Sequence, residues 1–389
     1  MLFCQVIVDI NHTDVDRMFT YRVPKGLDVC PGMRVHVPFG PRKLEGVVVE
    51  MTEDCDLPPE RVKDICDTLE DYPAVLPPLL ELAKEIQRTS FCTLAVALRL
   101  MFPAQMRGQR IREKQQEVAV LTVAPDVLGQ VIAAQVRAPK RAKVLRALAD
   151  APDMELTTAA LRETVGDCRD ALNALCKMGF VKLEKRESLR RPYGEMERLS
   201  AQDPELTRQQ EDVLAELLPA VETGKGEFLL YGVTGSGKTE VFIRAVRRAA
   251  QMGKTAIVLV PEIALTPQMV SWFRSRFGED AAVLHSRLSP GERYDEWRRI
   301  RRGDVRVVIG ARSAIFAPLQ NVGLIIIDEE HEQSYIADNN PHYDARRLAH
   351  ERCAREGAAL LLASATPSMR SFAMAGRGDL RLLEMPRRV

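Results

Sequence analysis

The sequence has 389 residues, of which 46% are hydrophobic and 28% charged, and its formal net charge is +1. At roughly 150 residues per domain, this length predicts two to three domains, each able to bury a core. The balanced charge excludes a disordered acidic or basic tail protein. No apolar run reaches the roughly 18 residues of a membrane span, and the first residues lack a signal-peptide pattern. We therefore expect a cytoplasmic chain with no membrane partner.

The eight cysteines are scattered along the chain without a CxxC pair. Their spacing suits neither a zinc site nor a disulfide framework. We expect reduced and mostly buried thiols.

Residues 1–108 predict a small β-rich domain. Val6, Val8 and Ile10 alternate as in a strand, and residues 35–50 predict two strands joined by a Gly-Pro turn. A helical period follows from Leu79 to Met101, and the charged run 109–117 has the composition of a linker.

Residues 109–200 predict that linker followed by a winged-helix domain. A strand at 118–123 precedes three short amphipathic helices near 139–150, 157–165 and 168–178, and strand alternation then returns. Winged helices often bind DNA, but bases and acids balance on the third helix, so a spacer or protein-contact role stays open. Residues 187–204 form the next linker.

Residues 201–389 alternate strands with helices. Six continuous apolar strands predict a parallel sheet that is buried on both faces. The fold class is therefore multidomain α/β, with a β-rich domain, a winged helix and a parallel-sheet domain.

A glycine-rich loop in the last domain predicts a nucleoside triphosphate site. Residues 232–239 fit GxxxxGK[ST] between the strand FLLY and a helix. Backbone N–H groups of such a loop face the phosphates, Lys238 reaches the β and γ phosphates, and Thr239 ligates Mg²⁺. The candidate ATP-binding residues of the loop are Gly232, Thr234, Gly235, Ser236, Gly237, Lys238 and Thr239.

An acidic cluster follows the apolar strand LIII about 90 residues later. Asp328 would hold the Mg²⁺, and Glu329 would orient or deprotonate the attacking water. With Lys238 and His331, they form the candidate catalytic set.

Two weaker signals flank these motifs. Gln210 precedes the loop at the distance of an amide that brackets adenine, although Thr207 could equally cap an ordinary helix there. Ser364 and Thr366 follow a strand and could couple His331 to a moving part, or simply cap the next helix.

The loop, DEEH and SATPS occur in an order and spacing that resemble lobe one of superfamily 2 helicases, a RecA-like fold. Longer segments, among them YGVTGSGKTEVF, LVPEIALTPQM and DEEHEQSY, resemble the primosomal protein N′ family of bacterial replication restart helicases. Residues 16–50 are similar to the 3′ DNA-binding domain of that family.

The resemblance implies an ATP-dependent 3′ to 5′ DNA helicase that recognises stalled or repaired forks and helps to reload the replicative helicase. Its implied cofactors are ATP and Mg²⁺. Its implied partners are branched or forked DNA with a nascent 3′ end, primosome proteins and single-stranded DNA-binding protein, in a nucleoid-associated cytoplasmic setting. Lobe two and the family's zinc region have no counterpart in these residues, so we expect this chain to bind ATP and DNA but to hydrolyse ATP slowly.

The resemblance also suggests DNA-binding residues. Phe19, Tyr21 and Gly40 would lie near the pocket for a DNA 3′ end, with Thr20 where the family commonly has Asp. A core role for the two aromatic residues stays open, because at i and i+2 they share a strand face.

Residues 335–349 correspond to the family's aromatic-rich loop, where Tyr335 and Tyr343 could stack on bases and Arg346 could reach phosphate or acid. Here His342 replaces the usual Arg and Arg347 the usual Asp.

Three further points come from position and charge. Thr266 and Gln268 are candidates for phosphate contact, since they lie near the end of a motor strand. Basic stretches at 274–276 and 298–302 are either DNA contacts or solvated helix faces. The alternative function is a fork-binding scaffold that recruits restart proteins without motor activity.

Overall fold

The computed structural model describes residues 2–55, 58–109, 111, 114–190 and 204–389. The chain forms two compact units, one comprising residues 1–111 together with 191–389 and the other residues 112–190. None of the helices in these described ranges is long and apolar enough to cross a membrane.

The N-terminal part of the first unit, which we call the β module, is a five-stranded antiparallel sheet followed by two helices. The sheet order is β2-β1-β4-β3-β5. Its elements are β1 (Phe3–Val8), β2 (Phe19–Arg22), β3 (Arg34–Phe39), β4 (Arg42–Thr52), β5 (Asp67–Thr68), α1 (Pro77–Ser90) and α2 (Leu94–Leu98).

The strand alternation expected from the sequence is confirmed in this sheet. Val6, Val8, Val35 and Val37 are buried in one cluster, and the turn at Gly40 joins β3 to β4. Gly32 lies between β2 and β3 with a φ of +88°, and an added Cβ would stand 1.8 Å from the Val75 carbonyl oxygen. The sheet and the segment before α1 therefore approach each other too closely for any side chain.

The continuous helical period expected from Leu79 to Met101 is interrupted. Phe91 ends α1 in a left-handed conformation, and Thr93 caps α2 by accepting a hydrogen bond from Val96 N–H. Both helices bury their apolar residues in the same core cluster, which explains why apolar residues recur on both sides of the break.

The second unit is built on the three-stranded antiparallel sheet β7-β6-β8. Its elements are β6 (Gln115–Leu121), α3 (Pro125–Ala134), α4 (Pro139–Ala149), β7 (Glu155–Thr157), α5 (Thr158–Val165), α6 (Arg169–Lys177) and β8 (Val181–Glu187). The three expected helices are present as α4, α5 and α6, but α3 was not anticipated. The linker expected at 109–117 gives way to β6 at Gln115, and most of the second linker lies outside the described residues.

The rest of the first unit, which we call the P-loop lobe, is an α/β layer structure. Its elements are α7 (Arg208–Thr223), β9 (Glu227–Gly232), α8 (Lys238–Gln251), β10 (Thr255–Leu259), α9 (Pro267–Phe277), β11 (Ala281–Leu284), α10 (Pro290–Arg302), β12 (Val307–Gly310), β13 (Val322–Ile327), α11 (Ala345–Glu356), β14 (Ala359–Ser364), α12 (Met369–Arg377) and β15 (Arg381–Met385).

All seven strands of the lobe are parallel, in the order β11-β12-β10-β13-β14-β9-β15. Two apolar clusters cover the two faces of the sheet, as the continuous apolar strands predict. The six expected strands are confirmed. The edge strand β15 was missed because its residues alternate between exposed and buried.

Most of the basic run on α10 is neither a DNA surface nor a solvated face, and only Arg302 at its end is exposed. The side chains of Arg298, Arg299 and Arg301 are buried. Arg299 pairs with Glu296 at 2.7 Å, and Arg301 donates to the Pro73 carbonyl of the β module. Trp297 also donates to the Met101 carbonyl. This run therefore holds the β module and the P-loop lobe together. Arg274 of the other stretch is buried as well.

The cysteines are free thiols, but only three of them are buried. The expectation of mostly buried thiols was therefore wrong for four half-buried cysteines and for the exposed Cys66.

Candidate nucleotide and DNA sites

The glycine-rich loop lies where β9 ends and α8 begins. Gly237 adopts a φ of +82°, and an added Cβ there would stand 2.3 Å from Gln210 Nε2. Lys238 begins α8 and donates from Nζ to the Gly232 carbonyl at 2.8 Å. Ser236 Oγ is buried without a hydrogen-bond partner in the described part of the chain. The loop thus offers a helix N-terminus, a lysine and an unsatisfied hydroxyl, a set suited to phosphate oxygens.

The other loop residues lie at the mouth of this turn. Thr234 and Gly235 are exposed, and Thr239 is half-buried in the first turn of α8. The expected ATP-binding residues of the loop therefore occupy one continuous turn.

The acidic cluster stands at the carboxyl end of β13, beside this loop. Lys238 Nζ lies 3.7 Å from Glu329 Oε1. Burial and the neighbouring Glu329 raise the pKa of Asp328 to about 6. Glu329 N–H donates to Asp328 Oδ1 at 3.0 Å, and Glu329 itself adopts a φ of +45°. The sheet thus brings two carboxylates, distant from the loop in sequence, next to its lysine.

The donor set fits a magnesium ion that is shared with a nucleotide. A buried carboxylate with a like charge beside it is stabilised by a cation. Among the described residues, no group of three or more His, Cys, Asp and Glu side chains could hold a metal ion alone. Mg²⁺ usually keeps several waters and takes only one or two carboxylates plus substrate phosphates. Asp328 and Thr239 are the residues that would hold it here.

His331 and the SATPS segment lie in contact. His331 Nδ1 is 2.8 Å from Ser364 Oγ, and Ser364 Oγ also accepts from Thr366 N–H at 2.9 Å. Ser364 Oγ lies 3.4 Å from Glu329 Oε2. The two candidate coupling residues therefore connect, through one hydroxyl, to His331 and Glu329.

Glu330 is a site residue that the sequence reasoning missed. Its side chain is fully buried at 0% exposure. One oxygen accepts from Ser368 N–H at 2.6 Å, and the other accepts from the Ser368 and Ser371 hydroxyls at 3.0 and 2.9 Å. It ties the acidic cluster to the start of α12. Two features of the sequence could have indicated this role, since Glu330 lies inside DEEH and its partner Ser368 is the last serine of SATPS.

Gln210 serves the protein itself. Its Oε1 accepts from Thr207 N–H at 2.8 Å, and its Nε2 donates to the Gly237 carbonyl at 3.2 Å. It is buried, so its amide is committed to the helix start and to the glycine-rich loop. The ordinary helix start left open by the sequence is therefore present, and Gln210 also supports the loop.

The residues expected near a DNA 3′ end differ in burial and in the strand face on which they lie. Tyr21 is buried and donates to the Pro38 carbonyl at 3.3 Å, so the expectation that it contacts DNA is corrected to a core role. Phe19 is half-buried and packs edge-on against Phe39 with ring centroids 5.2 Å apart. Thr20, on the opposite face, exchanges hydrogen bonds with Gln5. Gly40 is exposed in the adjacent turn.

The two tyrosines expected to stack on bases differ. Tyr335 is 0% exposed, and its hydroxyl donates to the carbonyls of Leu259 at 3.2 Å and Asp328 at 2.6 Å. The expectation that Tyr335 stacks on DNA is therefore corrected, because its ring has no open face. Tyr343 is half-buried, with Arg312 stacked over its ring at 5.6 Å.

The departures from the family pattern have structural partners. Arg347 donates from Nη2 to Glu85 Oε1 on α1 at 2.5 Å, which accounts for a cation at this position. Arg346 reaches the Glu330 carbonyl at 2.8 Å and also pairs with Asp344. His342 is exposed. The aromatic-rich segment is thus attached both to the β module and to the acidic cluster.

Thr266 and Gln268 lie at the exposed start of α9. Thr266 caps this helix by accepting from Met269 N–H. Both side chains are accessible to a ligand that crosses the carboxyl edge of the sheet.

A buried parallel sheet that places a glycine-rich phosphate loop beside an acidic strand end defines a P-loop NTPase lobe. Residues 207–375 match the DEAD/DEAH box helicase family, and residues 5–103 match the 3′ DNA-binding domain of PriA. The chain belongs to the PriA family of replication restart proteins.

Curated relatives extend this match over the whole chain. The chain is 33% identical over 453 residues to replication restart protein PriA of Bacillus subtilis (strain 168), covering 100% of this chain and 56% of that protein. It is 34% identical to PriA of Synechocystis sp. over 99% of this chain and 54% of that protein. The PriA of Treponema pallidum is 52% identical over 167 residues, 43% of this chain and 25% of that protein. The chain therefore spans about half the length of the first two relatives.

Proposed function

We propose that the chain binds ATP with Mg²⁺ in the P-loop lobe and branched DNA on the β module, as part of an ATP-dependent 3′ to 5′ helicase that acts in replication restart. The observation that supports the nucleotide site best is the 3.7 Å approach of Lys238 Nζ to Glu329. This short distance supports the proposal that Lys238 binds phosphate and Glu329 activates water at the same edge of the sheet.

The chemistry would follow from the positions of these side chains. Lys238 would break its hydrogen bond to the Gly232 carbonyl and bind the β and γ phosphates. The backbone N–H groups of the loop would also donate hydrogen bonds to phosphate oxygens. Glu329 would orient or deprotonate the attacking water. Mg²⁺, when bound with the nucleotide, neutralises phosphate charge. Ser364 would transmit a change at Glu329 to His331, since its hydroxyl contacts both.

Nucleotide binding is tested with a fluorescent, non-hydrolysable ATP analogue and Mg²⁺. Lys238→Met removes charge-assisted hydrogen bonds to phosphate of about 1.5–3 kcal/mol, so we expect an affinity roughly ten to a hundred times weaker. Lys225 is exposed and precedes β9, whereas Lys238 follows it. Lys225→Met is therefore the matched control, and it should bind the nucleotide with the same affinity as the unmodified chain. Equal affinity in all three proteins would rule out this site.

An experiment in a full-length relative distinguishes the motor function from the scaffold alternative. We expect Lys238→Ala, made at the equivalent lysine, to abolish restart while fork binding persists. Restart without that lysine would favour the scaffold. The same proposal includes primosome proteins and single-stranded DNA-binding protein as partners. It also includes a nucleoid-associated setting, and zinc in the longer relatives.

DNA binding is supported by the accessible residues of the β module and of the lobe edge. Phe19, Thr20, Gly40, Thr266, Gln268 and Tyr343 keep at least part of their surface open. Forks with and without a nascent 3′ end would test the proposal, and Phe19→Ala should weaken binding only to forks that carry the end.

A further inference from the structure

Phe91 combines two features that aromatic residues rarely show together. Its side chain is 95% exposed, and its backbone is left-handed, with φ 50° and ψ 40°. A left-handed backbone costs an L-residue with a Cβ about 1–2 kcal/mol. Both features oppose stability, so packing within the described structure does not explain a phenylalanine here.

Other helices of the chain show what this position normally requires. Four of them end in the same left-handed conformation, and each uses glycine there. These residues are Gly224, Gly303, Gly357 and Gly378. Only α1 places a large aromatic ring at this position among the described helices. Local rules that are broken without a structural gain point to function.

Contacts made by the last two turns of α1 place Phe91 beside the aromatic-rich segment. The preceding residue, Ser90, donates from its hydroxyl to the His342 carbonyl, next to Tyr343. One turn earlier, Glu85 accepts from Arg347 at 2.5 Å and from Arg88 at 2.6 Å. The exposed ring is therefore presented at the seam where α1 of the β module meets the aromatic-rich segment of the P-loop lobe.

The chemistry of this seam favours nucleic acid over protein. Two guanidinium groups, those of Arg88 and Arg347, share the Glu85 carboxylate, and Arg88 is 75% exposed and open to a phosphate. Within α1, α2 and the residues between them, Phe91 is the only exposed large apolar side chain. A protein partner needs a wider apolar patch, whereas one unpaired base can stack on one ring.

We propose that Phe91 stacks on a base of single-stranded DNA at the seam between the β module and the aromatic-rich segment. The ligand is an unpaired nucleotide next to a duplex, bound through its π face and through phosphate contact with the nearby guanidinium groups. This inference rests on the proposed DNA-binding function and identifies a further contact for it.

The test measures the affinity of the chain for two labelled DNAs by fluorescence anisotropy. One is a fork with an unpaired arm, and the other is a blunt duplex of the same length. We expect Phe91→Leu, which keeps an apolar side chain but removes the ring, to bind the fork roughly fivefold to a hundredfold more weakly. Duplex binding should not change, and Phe91→Tyr should bind the fork like the unmodified chain.

Stability provides a second, opposite readout. Phe91→Gly should raise the melting temperature of the first unit by about 2–4 °C, because glycine relieves the left-handed backbone, while fork affinity falls. Val136→Ala, at an 84% exposed apolar side chain of the second unit, is the control and should alter neither quantity.

Unchanged fork affinity in Phe91→Leu, or an equal loss on fork and duplex, would overturn the stacking role and leave the proposed function intact. If the unmodified chain binds neither DNA, the proposed DNA-binding function fails, and the role of Phe91 fails with it.

Discussion

The nucleotide loop and the aromatic-rich segment lie on either side of Asp328 in the sequence. Sequence patterns predicted the positions of side chains better in the loop than in the aromatic-rich segment. In the loop, Lys238 begins the helix after the glycines, Ser236 Oγ is buried without a partner in the described part of the chain, and the acidic cluster is beside them. In the aromatic-rich segment, one tyrosine is a core residue and the other is half-exposed. The two regions differ in what determines the position of a side chain.

A glycine-rich loop fixes its geometry through the backbone. Gly237 needs its positive φ, and a Cβ there would meet Gln210, so the residue types themselves specify the turn. An aromatic ring has no such signature, because the same apolar surface suits a core and a base stack. Motifs made of backbone constraints are therefore more predictive than motifs made of large side chains.

The largest expected effect concerns the buried ring of Tyr335. Tyr335→Ala removes a fully buried aromatic side chain and should lower the free energy of unfolding by about 3–5 kcal/mol. Denaturant unfolding measures it, with Tyr343→Ala as the half-buried comparison that should cost less. A stable Tyr335→Ala protein that has lost only DNA affinity would restore the stacking role and remove the contrast between the two tyrosines.

Substitution of Tyr343 should affect DNA affinity more than it affects stability. Tyr343→Leu keeps apolar contact with Phe316, whose ring centroid lies 5.1 Å from that of Tyr343, but removes the π face. We expect a loss of about 1–3 kcal/mol in the free energy of binding to single-stranded DNA, measured by anisotropy. If affinity is retained while the melting temperature falls, Tyr343 belongs with Tyr335 as a structural residue.

The third prediction concerns pH at the nucleotide site. Because the pKa of Asp328 is raised to about 6, this carboxyl is ionised above that pH and becomes neutral below it. The ionised form is the one that favours Mg²⁺, so affinity for the Mg²⁺–nucleotide complex should fall by about tenfold for each pH unit below about 6.

Asp328→Asn provides the control for that titration. The variant should bind more weakly at pH 8 and lose this step in the pH profile, while protonation of the nucleotide itself affects both proteins equally. Parallel profiles in the two proteins would show that Asp328 does not contact the metal.

Much of the P-loop lobe could be predicted because its strands are continuous apolar runs whose carboxyl ends must meet at one edge. Contacts between distant elements could not. Glu330 meets Ser368 and Ser371 only because β14 lies next to β13, and Arg347 meets Glu85 across 262 positions of sequence. The buried arginines of α10 show the same limit, since their composition predicts a surface, whereas Arg299 pairs with Glu296 and Glu279 inside the lobe and Arg301 donates to the Pro73 carbonyl of the β module.

The smallest expected effect isolates the hydroxyl of Tyr335 from its ring. Tyr335→Phe keeps the packing but removes the donor to the carbonyls of Leu259 and Asp328, so unfolding should cost about 1 kcal/mol less free energy. Tyr21→Phe is the matched control in the β module, because its hydroxyl makes one longer hydrogen bond of 3.3 Å to the Pro38 carbonyl. Nucleotide affinity should weaken in Tyr335→Phe but not in Tyr21→Phe, because the Tyr335 hydroxyl donates to the Asp328 carbonyl and the Tyr21 hydroxyl does not contact the acidic cluster. A change in stability without any change in nucleotide affinity would show that the acidic strand end is positioned without Tyr335, and the contrast between the two regions would then be one of packing only.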